Sequence, residues 1–196
     1  MRILIAYDGS SPANEALDEL TRAGLPAKVE AVLVSIAEVW LPPPSSIEMV
    51  AGDTAITIDE RLKEALTLGN GAAKKLQSNF PDWSIHVEAS IGSTAAEVLR
   101  KASEWQPDLI VVGSHGHSAI ERLLLGSVSL KVLHDAACSV RVSRVNARQT
   151  DEPARIIIGF GGLKYSWAAV QTALRRSWPP NTEVRLITSI GPLLLR

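Results

Sequence analysis

Cysteine is almost missing. Cys138 is the only one in 196 residues, so the chain closes no internal disulfide and builds no multi-cysteine metal site. Charge of one sign is also missing: 20 Lys and Arg stand against 21 Asp and Glu, a net −1. That balance argues against a nonspecific nucleic-acid binder, which needs a strongly basic face. No apolar run approaches the ~20 residues of a membrane span. The opening residues MRILIAYDGS already read as strand and turn, leaving no room for a signal peptide, and the expectation is a soluble cytoplasmic protein. What remains is globular in composition, 46% hydrophobic and 21% charged, which excludes a disordered chain, a collagen and a coiled coil.

Short apolar runs alternate with helical patterns. ILIAY (Ile3 to Tyr7) is a strand buried on both faces. Asp8-Gly9-Ser10-Ser11-Pro12 breaks it, with Ser11 placed to cap a helix and Pro12 at its first position. Ala13, Ala16, Leu17 and Leu20 follow at helical spacing, and Gly24-Leu25-Pro26 stops them. Glu30 to Ile36 is a second strand. The prolines 42–44 exclude regular structure and read as a loop. Asp53 to Gln77 is helical through Ile56, Leu62, Ala65, Leu66, Ala72 and Leu76, weakened in its middle by Gly69-Asn70-Gly71. Ser84 to Ile91 alternates as a third strand, and Thr94-x-x-Glu97 has the form of a capping box. LIVVG (Leu109 to Gly113) is a fourth, buried strand, Ser127 to Ala136 a helix, and Val140 to Val145 a short fifth strand. Strands alternating with helices predict an open, doubly wound, parallel five-stranded sheet, Rossmann-like, whose ligand site lies at the carboxyl ends of the strands.

The polar stretch 146–153 reads as a linker between residues 1–145 and a second segment, 154–196. RIIIGFGGLKYSWAAVQTAL repeats the start of the chain: Arg155 falls on Arg2, Phe160 on Tyr7, Gly162 on Gly9 and Leu174 on Leu20, after one inserted residue. EVRLITSI then falls on Val29 to Ile36. Strand, turn, helix and strand recurring in order suggest an internal repeat, although any two βαβ starts share features. The repeat stops after its second strand, and Gly161 stands where the first copy has Asp8.

The chemistry concentrates in Gly113-Ser114-His115-Gly116, nine residues, then Gly126-Ser127-Val128-Ser129. Glycines just past a buried strand admit a ligand close to the backbone. A helix opened by Gly126 and Ser127 offers free N–H groups and a favourable dipole to phosphate, and the Ser127 and Ser129 hydroxyls can add hydrogen bonds. The spacing is neither a Walker loop nor a GxGxxG fingerprint, and spaced glycines also occur as plain turns.

This pattern, with Asp8 closing the first strand, resembles the universal stress protein family and its ATP-binding branch. The resemblance covers Met1 to about Val145, and Arg155 to Ile190 resemble the start of a second such domain, as in tandem members. It implies the adenine nucleotide alpha hydrolase-like fold, with ATP, ADP or AMP as ligand and Mg²⁺, where present, held by the phosphates. Asp8 would hydrogen-bond the adenine beside Ala6 and Tyr7, and Ile36 would pack on the base. Val112, Gly113 and Gly116 would lie at the ribose and phosphates, and Gly126, Ser127, Val128 and Ser129 would hold the phosphates. It also implies pairing of domains through the last strand, Val140 to Val145, hence a homodimer or higher homo-oligomer without nucleic acid or membrane partners.

Ser114-His115-Gly116-His117 resembles the HIGH signature of nucleotidyltransferases but follows the fourth strand instead of the first. His86 and His134 have no partner at metal spacing, and Cys138 reads as a small buried hydrophobe. Trp40, Trp83, Trp105, Trp167 and Trp178 form no stripe, and packing is the simplest role for Trp40, which stands beside the proline loop. No carboxylate pair or nucleophile–base pair stands out for catalysis. Three readings follow: a nucleotide-binding stress sensor or regulator, a slow ATPase using the same pocket with His115 positioning water, and a nucleotide-free dimerising module.

Overall fold

The structure, a computed structural model, describes residues 1–38, 51–114, 125–143, 153–162 and 164–188, the side chains of 51–57 and 164–165 excepted. The proline loop with Trp40 lies outside the described residues. The chain divides into two compact units, Met1–Glu19 with Ala27–Ala147, and Leu20–Pro26 with Arg148–Arg196. Among the described residues no helix is long and apolar enough to cross a membrane.

The first unit is built on β1 (Arg2–Ala6), β2 (Glu30–Ala37), β3 (Ser84–Ile91), β4 (Leu109–Gly113) and β5 (Ser139–Ser143). All pair parallel in the order β3-β2-β1-β4-β5, the five-stranded sheet expected from the sequence. The fifth strand starts one residue earlier than expected, and residues 144–145 lie outside the described set. β2, β1 and β4 are the inner strands, and Ile3, Leu4, Ile5, Ile110 and Val111 are fully buried. Helices α1 (Ser11–Glu19), α2 (Ala51–Asn79), α3 (Thr94–Trp105) and α4 (Ser127–Asp135) link the strands. Leu4, Val32, Val34, Ile110 and Val112 form one cluster with Val98 of α3 and Val132 of α4, as alternation along each strand requires.

The long helix α2 runs unbroken through Gly69-Asn70-Gly71, where the sequence suggested weakness. Ala65, Gly69, Ala72 and Leu76 are buried along one stripe. A Cβ on Gly69 would stand 2.6 Å from Val87 Cγ1 and 3.2 Å from Leu33 Cδ2. The glycine therefore lets the helix lie close on β2 and β3, and packing outweighs its low helix propensity. Leu66, expected inside, is 39% exposed, one position off that stripe.

The second unit contains β6 (Arg155–Gly159), α5 (Lys164–Leu174) and β7 (Glu183–Ile187). β6 and β7 form a parallel two-stranded sheet. Arg155 stands opposite Glu183 as Arg2 stands opposite Glu30. The bonds flanking the ladders correspond as well: Glu30 N–H donates to Met1 O (3.0 Å) and Glu183 N–H to Ala154 O (2.9 Å), while Tyr7 N–H donates to Val34 O (3.0 Å) and Phe160 N–H to Ile187 O (2.8 Å). The sequence alignment set Glu183 on Val29. Backbone pairing sets it on Glu30, because ladder register defines equivalence and the inserted residue is compensated before the strand. In this unit Arg176 donates to Ala23 O (3.0 Å) and Trp178 Nε1 to Ala173 O (2.7 Å). Trp167 meets Phe160 edge-on at 5.2 Å.

Candidate functional site

A cavity of about 490 Å³ opens at the carboxyl ends of β1, β2 and β4. It lies where strand order reverses between β1 and β4, the position at which open parallel sheets take ligands. Of the eleven residues singled out in the sequence, all but Gly116 line it: Ala6, Tyr7 and Asp8 at the end of β1, Ile36 on β2, Val112 and Gly113 on β4, and Gly126, Ser127, Val128 and Ser129 at the start of α4. Gly116, with His115 and His117, lies outside the described residues.

Asp8 is held by its own turn. Ser10 donates to Asp8 Oδ1 from its N–H (3.0 Å) and from its hydroxyl (2.6 Å). Ser10 Oγ also accepts from Ala13 N–H at 3.3 Å, so the cap of α1 is Ser10 and not Ser11. Pro12 takes the second helical position, which also lies in the first turn, where no N–H is needed. Tyr7 is nearly buried, and its hydroxyl donates to Asn14 Oδ1 at 2.9 Å.

Gly126 opens α4 in extended conformation (φ −64°, ψ 159°), without a side-chain cap. Its N–H donates to Ser114 O (2.7 Å), and its carbonyl accepts the first helical bond, from Leu130 N–H (2.9 Å). The N–H groups of Ser127, Val128 and Ser129 therefore have no acceptor within the helix, and all three residues line the cavity. The Ser129 hydroxyl is not directed to a ligand as the sequence suggested. It donates to Ser114 O (3.0 Å) and Gly126 O (2.9 Å) and is buried, fastening the two ends of the loop between β4 and α4. Gly113 also has a second reason to be glycine: a Cβ there would stand 3.0 Å from Ala13 N and Pro12 C of α1.

The capping box at Thr94 is replaced by a tertiary contact. Ser93 is the cap residue and makes no side-chain cap bond. Glu38, just past β2, accepts from Thr94 Oγ1 (2.7 Å) and Thr94 N–H (3.4 Å), placing a carboxylate at the positive end of α3. Glu97 instead binds Arg100 at 2.8 Å, whose guanidinium holds that carboxyl below its ordinary range.

Sequence reasoning missed the wall supplied by Ser35, Glu38, Thr94 and the α2 residues Arg61, Glu64, Ala65 and Leu68. The last four fall at helical spacing, a face that the amphipathic pattern of α2 marks only as a border. Arg61 and Glu64 pair at 3.1 Å in an exposed position. Among the described residues Ser35 Oγ is buried and meets no hydrogen-bond partner, the kind of polar group that interiors rarely leave unmatched. Among the described residues no three His, Cys, Asp or Glu side chains gather as metal ligands.

Comparison with known proteins places this geometry. Residues 1–144 match the model of the universal stress protein family. A universal stress protein of Methanocaldococcus jannaschii is 32% identical over 147 residues, covering 72% of this chain and 80% of that one. For one from Mycobacterium bovis the identity is 32% over 72% of this chain and 45% of the relative. Among solved structures, a universal stress protein from Archaeoglobus fulgidus superposes with a TM-score of 0.62 over 96% of this chain and 79% of that chain, at 16% identity. UspA from Lactobacillus plantarum superposes at 0.54 over 74% and 97%, at 22% identity. These two share the fold. By the family match and the Methanocaldococcus relative together, the chain belongs to the universal stress protein family.

Proposed function

We propose that the cavity binds an adenine nucleotide, with ATP, ADP and AMP as candidates, and that the protein acts as a nucleotide-binding sensor or regulator in a stress response. The observation that carries this reading is the start of α4: three N–H groups without helical acceptors, no side-chain cap, and a cavity in front of them. Such an end attracts phosphate. The corresponding end of α3 already holds the Glu38 carboxylate, whereas the start of α4 carries no side-chain cap. With the phosphates there, the base would lie toward Asp8 and Ile36, between the apolar walls of Ala6 and Val112. Mg²⁺ would arrive on the phosphates, since the described residues supply no ligand cluster of their own. The matching registers of β1–β2 and β6–β7 support reading the second unit as a partial second copy, as in tandem members, and self-association as a homodimer belongs to the same reading.

Calorimetry with ATP, ADP and AMP tests the site. Gly126→Val should abolish binding while the circular dichroism spectrum stays that of the parent, because the backbone at Gly126 is open to a β-branched residue and only the phosphate space is lost. Unchanged affinity in that variant would overturn the assignment. Asp8→Ala should weaken binding by about 1.5–3 kcal/mol, the scale of a hydrogen bond to a charged group, and parent-like affinity would remove Asp8 from the base site.

A further inference from the structure

We propose that Glu38 accepts the sugar hydroxyls of the bound nucleotide and makes the cavity selective for ribonucleotides over their deoxy forms. The inference rests on the cavity holding an adenine nucleotide with its phosphates at α4, and it adds a residue that the glycine pattern does not mark. Glu38 is an exposed side chain of the cavity wall, one residue past β2. Its carboxylate is held in place, because Oε1 accepts from both Thr94 Oγ1 and Thr94 N–H. The backbone beside it is fixed as well, since Gly92 N–H donates to Ala37 O at 3.2 Å. Among the described residues the second oxygen, Oε2, meets no hydrogen-bond partner. A carboxylate anchored by one oxygen thus keeps the other for a ligand.

Its charge sorts the two halves of a nucleotide. α3 and α4 contribute Val98 and Val132 to one cluster, and the starts of both helices line the same cavity. Each start would attract phosphate by itself. At α3 the Glu38 carboxylate occupies the positive end, so a phosphate there would meet like charge at close range. At α4 no side chain caps the end. With the phosphates at α4, beyond β4, the nucleoside half runs across β1 toward β2, where Glu38 stands. An ionised carboxylate only accepts hydrogen bonds. The adenine amino group donates, but the ring nitrogens flanking it are acceptors, and a carboxylate repels them. A ribose diol offers two neighbouring donors without that conflict. Dinucleotide-binding sheets also meet a ribose hydroxyl with an acidic side chain.

Calorimetry of the full chain with ATP and 2′,3′-dideoxy-ATP tests the proposal. The parent should bind ATP about tenfold or more tightly than the dideoxy nucleotide, the scale of a hydrogen bond to a charged group. Glu38→Ala should lose that preference, with ATP weakened and the dideoxy nucleotide bound at least as tightly as by the parent. A Glu38→Ala chain that weakens both ligands alike would show that Glu38 only steadies α3, and would overturn the proposal. Equal affinity of the parent for the two nucleotides would overturn the role of Glu38 while leaving the cavity a nucleotide site. A parent that binds neither would overturn the nucleotide reading and this inference together.

Discussion

Gly69 and Gly71 lie on one helix, two residues apart, and a methyl group at the two positions meets opposite surroundings. At Gly71 nothing stands within 4 Å of an added Cβ. Alanine there contributes helix propensity alone, about 0.5–1 kcal/mol of stabilisation. At Gly69 the same gain is set against contacts of 2.6 Å to Val87 Cγ1 and 3.2 Å to Leu33 Cδ2. Val87 is β-branched and stiff at χ1, and Leu33 is fully buried, so neither yields freely. Overpacking of a core contact costs about 1–3 kcal/mol, which leaves Gly69→Ala destabilised by about 0–2 kcal/mol net. The two variants should differ by about 1–3 kcal/mol, or several degrees in Tm at about 2–4 °C per kcal/mol for a chain of this size. Urea and thermal unfolding of parent and both variants measure it. If Gly69→Ala is stabilised as much as Gly71→Ala, the close seating of α2 on β2 and β3 is wrong.

Two further outcomes follow from the same reasoning. Ser129→Ala should lower stability by about 1 kcal/mol, since one hydroxyl is lost while both carbonyls keep a backbone partner; if the hydroxyl served a phosphate instead, calorimetry would show lost affinity at unchanged stability. Cys138 is half-buried, and burial followed by the nearby Asp108 charge pushes its thiol up from the ordinary value. The folded chain therefore keeps that proton longer than the unfolded chain. Its contribution to stability is retained below the ordinary thiol range, about pH 8.5, and falls as pH rises through it. Dithionitrobenzoate at pH 8 should react more slowly with the native protein than with the urea-unfolded chain, and equal rates would contradict the burial.

The strands were the most legible part of the sequence. ILIAY and LIVVG are unbroken apolar runs, the pattern that strands buried on both faces produce. The glycine spacing also led to the cavity, because a strand end and a helix start are local features. Caps were harder. Ser10 and Ser11 are the same residue type side by side, and the choice between them rests on which one Asp8 can reach. Thr94 satisfied a local rule, but Glu38, distant in the sequence, supplied the carboxylate that Glu97 was expected to bring. The α2 wall was invisible for the same reason: Arg61, Glu64 and Leu68 border the site only once β2 and β3 have set where the helix lies. Register was recovered to within one residue in the second unit, because alignment counts residues while a ladder counts hydrogen bonds.

The central place of β1 has a consequence during synthesis. Arg2 N–H bonds the carboxylate of Asp108, 106 residues further along, at the border where β1 meets β4. At ~5–20 residues per second, β4 follows β1 out of the ribosome by about 5–20 s. β2 reaches its side of β1 much earlier, so during that interval Ile3, Leu4 and Ile5 form the rim of an unfinished sheet. Such a rim is where nascent chains on neighbouring ribosomes meet and where a holdase finds its target. The strand made first is thus enclosed only after β2, made later, already has both of its neighbours.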